Sequence, residues 1–392
     1  MKILDRYIDQ LIEQSTPECP VWNIEKIREG SKSTWNYIDG CMIKAIIELF
    51  LITRNHRYLD FADAFTGRFV REDGSIESYD PKEYNLDNVN AGKTLFDLYK
   101  LTGKEKYRRA MDTVYSQLKE QRYRKACDTL MTQLIYQPRL TTGNFWHKKI
   151  YPHQIWLDGL YMAQPFYMQY EAEYNGCKNC EDSYQQFLQV YGRMRDPLNG
   201  LYYHAYDDSR QMFWCDKVTG LSENFWLRAM GWYAMALIDT MEVMPESMAF
   251  QKARLNAIYK ELIDAMLPYQ DQATGMWYQV VNRGGIAPNY LEESGSAIFA
   301  YAIMKSVRLH YLPEEYFKYG QKAFDGICST YLSEKDGSLQ LGGICLVAGL
   351  GNTDMREGTF EYYMREPVVE NEAKGIAPLI LAYTEPMFRC QS

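Results

Sequence analysis

Two glycine motifs alternate along this chain, and together they leave little choice of architecture. In the first, a glycine opens a strongly apolar run: Gly40, Gly92, Gly159, Gly231, Gly295 and Gly375 each precede an alanine- or leucine-rich stretch. In the second, a glycine leads into apolar or aromatic residues of a short extended segment, at Gly74, Gly143, Gly200, Gly275 and Gly337. Copies of the second motif recur roughly every 66 residues, a period that implies a helical array. Each stands before the next copy of the first. The repeating unit is therefore an apolar helix, an amphipathic helix and a glycine–aromatic loop, and the chain holds about six of them. Six such units can close into a ring with no terminal repeat left exposed.

The apolar runs cover residues 35–50, 156–170, 226–242, 296–307 and 376–383. A helix that is apolar all round is buried all round, whereas one with a polar face lies outside. Amphipathic spacing is expected over 105–120, where Tyr107, Met111, Val114, Tyr115 and Leu118 share a face, and over 250–266, with Ile258, Leu262 and Met266. The alternation predicts an inner and an outer ring of helices, all within one domain spanning residues 1–392. The glycine–aromatic loops must then gather at the end that holds the inner-helix N-termini. That end concentrates partial positive charge, which favours an anion. Residues 202–214, with Tyr202, Tyr203 and His204 before Asp207 and Trp214 after it, read as a β-hairpin on this face.

Composition narrows the partners. The 33 tyrosines and eight tryptophans suit a cleft lined for sugar rings. A net charge of −8 without a basic run argues against nucleic acid and leaves room for a small anionic ligand. No apolar stretch approaches the roughly 18 residues of a membrane span. The N-terminal segment reads as an amphipathic helix rather than a secretion signal. Nine scattered cysteines suit a reducing, cytoplasmic setting. Cys177 and Cys180 form a lone CxxC, read as an ordinary loop, since nothing at finger spacing accompanies it. No metal-ligand spacing, phosphate loop or dinucleotide fingerprint is present, so neither metal nor cofactor is expected.

The candidate chemistry centres on Trp156-Leu157-Asp158-Gly159. Asp158 stands at the mouth of an apolar helix among aromatic neighbours. Such surroundings disfavour the carboxylate and predict a raised pKa, as a general acid needs. Asp87 occupies a corresponding helix start, and paired carboxylates are the usual apparatus of glycoside hydrolysis. Helix capping is the plainer role for either acid. His147 and His204 lie in the glycine–aromatic loops, where each could bind sugar hydroxyls. Arg228, in Trp226-Leu227-Arg228-Ala229-Met230-Gly231-Trp232, places a cation at an apolar helix start. It needs an anion, either a structural carboxylate or that of a substrate.

These segments resemble the unsaturated rhamnogalacturonyl hydrolases, glycoside hydrolase family 105, over nearly the full length. The resemblance rests on Trp35-Asn36-Tyr37, Asp87, His147-Lys148, Trp156-Leu157-Asp158-Gly159, His204 and the Trp226–Trp232 run. It implies an (α/α)6 barrel, all-α, of six helical hairpins with short β-hairpins on the active face. It further implies that Asp158 is the general acid and base in hydrating the C4=C5 bond of an unsaturated galacturonyl unit, with Asp87 assisting. By the same resemblance, Tyr37, Trp156, His204, Trp226 and Arg228 line the unsaturated sugar, and His147, Lys148 and Trp232 reach toward the leaving sugar. An unsaturated glucuronyl hydrolase would share Asp87, Asp158 and the barrel and differ at the leaving-sugar subsite. A sugar epimerase of the same architecture, using His147 and His204, and a non-catalytic sugar binder are the alternatives from other classes.

Overall fold

The computed structural model describes residues 2–107, 113–351 and 355–391. Its helices in chain order are α1 (Lys2–Gln14), α2 (Ile24–Glu29), α3 (Tyr37–Thr53), α4 (His56–Phe69), α5 (Asp87–Asn90), α6 (Lys93–Tyr107), α7 (Thr113–Tyr136) and α8 (Leu157–Tyr174). There follow α9 (Cys180–Met194), α10 (Leu227–Val243), α11 (Ala249–Met266), α12 (Glu293–Arg308), α13 (Phe317–Tyr331), α14 (Phe360–Arg365) and α15 (Ala373–Gln391). The expected apolar helices are α3, α8, α10, α12 and α15. Of the helix expected over 105–120, Met111 lies outside the described residues, and α7 begins at Thr113.

The apolar helices form the inner ring. α3 packs on α15, α15 on α12, α12 on α10, α10 on α8, and α8 on α5, which meets α3 again. Outer helices back them: α4 on α3, α7 on α6, α9 on α8, α11 on α10 and α13 on α12. α1 joins the sixth position, where the Tyr383 hydroxyl donates to Asp5 at 2.6 Å. The burial pattern follows the composition of each ring. On α10 every residue from Leu227 to Ile238 is buried, while α4 buries only Tyr58, Leu59, Ala62, Phe65, Thr66 and Phe69 along one stripe. This is the (α/α)6 barrel the resemblance implied, in agreement with the six-unit repeat, and the described strands are short.

Each glycine motif has its own physical cause. The helix-start glycines let neighbouring inner helices touch. A Cβ on Gly40 would lie 2.6 Å from Ala91 Cα, and one on Gly295 only 2.4 Å from Leu227 Cγ. The loop glycines instead need left-handed backbone: Gly74, Gly143, Gly200, Gly275 and Gly337 have φ between 76° and 103°. At Gly275 the turn is wound by Asp271, whose carboxylate accepts from the Thr274 amide at 2.8 Å while its carbonyl accepts from Gly275 N at 2.8 Å. Gly295→Ala is expected to lower unfolding free energy by about 1–3 kcal/mol, because overpacking at a helix contact forces side chains and backbone apart. Urea denaturation would read this, and an unchanged midpoint would refute the close-approach account.

The strands are β1 (Gln154–Trp156), β2 (Ala205–Asp207), β3 (Leu332–Lys335), β4 (Ser338–Leu341), β5 (Ile344–Cys345) and β6 (Val368–Val369). They pair antiparallel as β1–β2, β3–β4 and β5–β6. The hairpin expected within 202–214 is not formed as such. β2 pairs with β1, Trp156 opposite Ala205, and its Tyr206 also bridges Leu221. Asp207 turns the chain tightly after β2, accepting from the amides of Ser209, Gln211 and Met212, so the residues up to Trp214 cannot fold back as a partner strand. The Cys177–Cys180 segment also departs from expectation. The two cysteines are disulfide-bonded, their Cα atoms 5.0 Å apart in the turn between α8 and α9, within reach of such a bond. No helix among the described residues is long and apolar enough to cross a membrane.

Candidate active site

One hydrogen bond repeats around the inner ring and assembles the site. The amide at or just before an inner-helix start donates to a carbonyl of the next loop round: Leu86 to His147 at 3.2 Å, Leu157 to His204 at 3.1 Å, Leu227 to Gln279 at 3.0 Å, and Glu293 to Gly343 at 2.9 Å. Helix-start amides lack an intrahelical acceptor, so these carbonyls satisfy them. At two of these steps the loop side chains come to an acid at the neighbouring helix start. His147 and Lys148 come to Asp87, and His204 comes to Asp158.

The resulting cleft, of about 170 Å³, is lined by Glu25, Tyr37, Asp87, His147, Lys148, Tyr151, Trp156, Asp158, Met162, residues 347–349 and Arg356. Six of the ten residues singled out from sequence are among these: Asp158, Asp87, Tyr37, His147, Lys148 and Trp156. The sequence reading missed Glu25, Tyr151 and Arg356. Tyr151 was legible as an aromatic in the His147–His153 approach. Arg356 and residues 347–349 belong to a loop with no repeat to mark it.

Asp158 is largely buried, its side chain 14% exposed, and His204 Nε2 stands 3.2 Å from its Oδ2. The ring N–H is poorly aligned on that oxygen, which leaves both atoms short of a full hydrogen bond. Such contacts commonly tighten when substrate binds. The other ring nitrogen lies 2.8 Å from the Tyr363 hydroxyl, so His204 is clamped between α14 and the acid. Burial pushes the Asp158 carboxyl up, but His204, by contact and charge, and His147 pull it further down. Its pKa therefore lies below the ordinary carboxylate value. This corrects the expectation of a raised pKa. Aromatic neighbours alone would raise it, and two imidazoles outweigh them.

Asp87 is held by Lys148, with Nζ 2.5 Å from Oδ2, while His147 Nε2 lies 3.8 Å from Oδ1. Burial works against the Lys148 ammonium, yet Asp87 beside it raises its pKa. Burial, then Glu25 and Asp87, push the Tyr37 hydroxyl well up. His147 stacks on Trp156 with centroids 4.8 Å apart, and Tyr151 stacks on the same indole at 4.9 Å. Burial lowers the His147 pKa to about 4, so the ring is neutral at pH 7. The unfolded ring titrates near 6.5 and takes up protons first as pH falls. Stability is expected to drop between about pH 6.5 and 4, by up to about 3 kcal/mol from this group. His147→Gln should flatten that limb in urea melts across pH, and an unchanged limb would assign the loss elsewhere.

Four of the residues singled out do not line the cleft. His204 is fully buried and touches Asp158 from behind. Trp226 is buried between His204 and Tyr363, its Nε1 donating to Gln279 at 3.1 Å. Trp232 lies one and a half turns further along α10 and stacks on Tyr161 at 5.1 Å inside the barrel, so it does not reach toward a leaving sugar. Arg228 is 1% exposed, and its guanidinium donates to the Cys345 and Leu346 carbonyls and the Ser294 hydroxyl. It serves the β5 loop rather than opening on the cleft, where Arg356 supplies the guanidinium.

Three carboxylates, a lysine, an arginine and stacked aromatics surround this small space, acceptors for sugar hydroxyls beside two cations for an acidic group. A family model described as Glycosyl Hydrolase Family 88 matches residues 7–122 and 111–389. A family 105 glycoside hydrolase of C. acetobutylicum ATCC 824 is 40% identical, with 98% of each chain covered and a TM-score of 0.85. The chain belongs to the glycoside hydrolases of families 88 and 105. It is similar, at 27% identity over 77% of each chain, to the unsaturated rhamnogalacturonyl hydrolase YesR of Bacillus subtilis (strain 168). An unsaturated glucuronyl hydrolase of Bacillus sp. GL1 shares the fold, at 14% identity and a TM-score of 0.60, covering 92% of this chain and 88% of its own. As a member of these families the chain is a glycosidase of the unsaturated uronyl type.

Proposed function

We propose that this glycosidase removes a 4,5-unsaturated galacturonyl residue from the non-reducing end of rhamnogalacturonan oligosaccharides. The observation that carries the reading is the joint presence of Asp158 and Asp87 with Lys148 and Arg356 around a cleft of about 170 Å³. Ligand pockets for larger molecules run to roughly 300–1,000 Å³, so this one suits a single terminal sugar. The relation to YesR supports the rhamnogalacturonan substrate.

In this reading Asp158 delivers a proton to C4 of the vinyl ether, and positive charge develops at C5 and the ring oxygen. Water then adds to C5 and returns its proton to Asp158. The C5 hemiketal opens to a ketone, C1 becomes an open-chain hemiacetal, and the leaving sugar departs as an alcohol. No enzyme nucleophile at C1 is required, unlike the usual pair of carboxylates. The lowered pKa leaves Asp158 ionised before substrate binds, so it takes up its proton from solvent as the substrate docks. A bound uronate carboxylate nearby opposes the Asp158 charge and shifts its pKa upward. Lys148 fixes Asp87, which orients the water or the sugar hydroxyls. Arg356 takes the uronate carboxylate.

The direct test follows ultraviolet absorbance of the conjugated uronate with unsaturated galacturonyl-rhamnose and, in parallel, an unsaturated glucuronyl disaccharide. Loss of absorbance with release of rhamnose supports the proposal. Loss with the glucuronyl compound alone moves the enzyme to that specificity, and loss with neither refutes both. Arg356→Ala is expected to raise KM for the free acid about tenfold while leaving its methyl ester nearly unchanged, the effect of one charge-assisted contact. Equal effects on acid and ester would remove Arg356 from carboxylate recognition.

A further inference from the structure

The cleft has room for a single sugar, yet the active face carries a second and larger concavity. A groove of about 720 Å³ opens on the segment that follows β2, between Tyr203, Phe213, Trp214, Asp216, Val218 and Glu223. Phe213 and Val218 are 44% and 76% exposed there, apolar surface left open by the described residues. The indole N–H of Trp214 is buried and has no acceptor among the described residues.

The groove and the cleft share one wall. Leu350 packs with Trp156 and Trp214 in a small apolar cluster. On its cleft side, the Cβ direction of Gly349 points to within 3.1 Å of Arg356 Nη1 and 3.5 Å of Trp156. On its groove side, that of Gly351 comes within 3.5 Å of Trp214 Nε1. Two residues of chain span at most about 7 Å, so one short segment backs both Trp156 of the cleft and Trp214 of the groove.

Charge decides what the groove accepts. Its lining includes the acids Asp216 and Glu223 and no lysine or arginine. Asp216 turns one oxygen to its own loop, accepting from Val218 N, Thr219 N and the Thr219 hydroxyl. Glu223 is held only loosely, 3.9 Å from Arg283. A uronate would meet like charge here. A neutral sugar would find aromatic and aliphatic surface for its C–H face and carboxylate acceptors for its hydroxyls.

Resting on the proposed function, we infer that this groove binds neutral glycosyl units of the leaving oligosaccharide and sets a preference for substrates longer than a disaccharide. Phe213→Ala and Val218→Glu, both at exposed positions, test it with two substrates: the unsaturated galacturonyl-rhamnose disaccharide and an unsaturated rhamnogalacturonan oligosaccharide carrying neutral galactosyl branches. The expected result is a loss of about tenfold in kcat/KM for the branched substrate, through KM, with the disaccharide unchanged. Equal loss on both substrates, or loss on neither, overturns the inference. A binding arm keeps the groove testable should the proposed function fail. Calorimetric titration of a saturated neutral galacto-oligosaccharide into the wild-type protein should give binding that Phe213→Ala removes. Absence of binding, or binding that survives the substitution, overturns the groove even where the enzyme cleaves unsaturated uronides.

Discussion

Asp158→Asn is expected to lower kcat by about two to four orders of magnitude, the range for losing a positioned acid–base group, while the protein stays folded. The amide is nearly the same size and keeps the contact with His204, which stands 3.2 Å away. What it loses is the proton that must reach C4. Helix capping, the plainer role weighed for this acid, predicts the opposite pattern. Yet the α8 start is Leu157, capped by no side chain, and the Leu157 amide is satisfied by the His204 carbonyl at 3.1 Å. Circular dichroism and thermal melting of the variant, beside the absorbance assay, separate the two roles. A variant that loses stability and activity together would show that Asp158 supports the helix rather than the reaction.

The pH dependence of this step follows from the same contacts. The lowered Asp158 pKa keeps it ionised in the free enzyme, whereas the reaction needs it protonated, so kcat/KM falls as pH rises above that pKa and the alkaline limb reports it. Replacing His204 by a group that cannot hold the carboxylate would let burial dominate. The limb would then move to higher pH. His204→Phe is a severe form of that change, and His204→Gln, which retains a donor, should shift it less.

What the sequence made legible is local or periodic. Gly275 is readable because an aspartate-wound turn needs a left-handed residue, a pattern repeated by Asp196 at Gly200, and Gly74, Gly143 and Gly337 are left-handed as well. The inner helices are readable because a segment such as 226–242 offers no polar face. Asp158 is readable because an acid in that setting is conspicuous. The pKa of Asp158 was not, because its controlling partner arrives 46 residues later through the pairing of Trp156 with Ala205. Local neighbours gave the wrong sign. Trp232 shows the same limit in another form. Its distance from Trp226 along α10 directs it into the barrel against Tyr161, and sequence proximity to the site says nothing of depth. Arg356 lies in an irregular loop, where neither period nor propensity marks a side chain that the cleft uses.

Arg228 carries the second large expected effect, and here the structure changes its kind. A substrate carboxylate was one of the two anions its position suggested. The guanidinium instead binds the carbonyls of Cys345 and Leu346 and the hydroxyl of Ser294, with Trp226 stacked 4.9 Å away. Burial opposes its charge, and Cys345, Glu292, Tyr37 and Glu372 around it hold its pKa above the ordinary value. Burial and Glu292 push Glu293 well up, and Arg228 is what moderates it. Arg228→Ala therefore takes a donor from two buried carbonyls and a cation from the neighbourhood of Glu292 and Glu293, while Glu372 keeps Lys374. The expected cost is about 1–3 kcal/mol, as for leaving buried hydrogen-bonding groups unsatisfied. The loop from β5 to Gly349, which forms one wall of the cleft, should loosen first, so KM rises for free acid and methyl ester alike. Denaturation and the paired kinetics decide the matter together. A variant of unchanged stability that loses affinity for the acid alone would return Arg228 to carboxylate recognition and displace Arg356 from it.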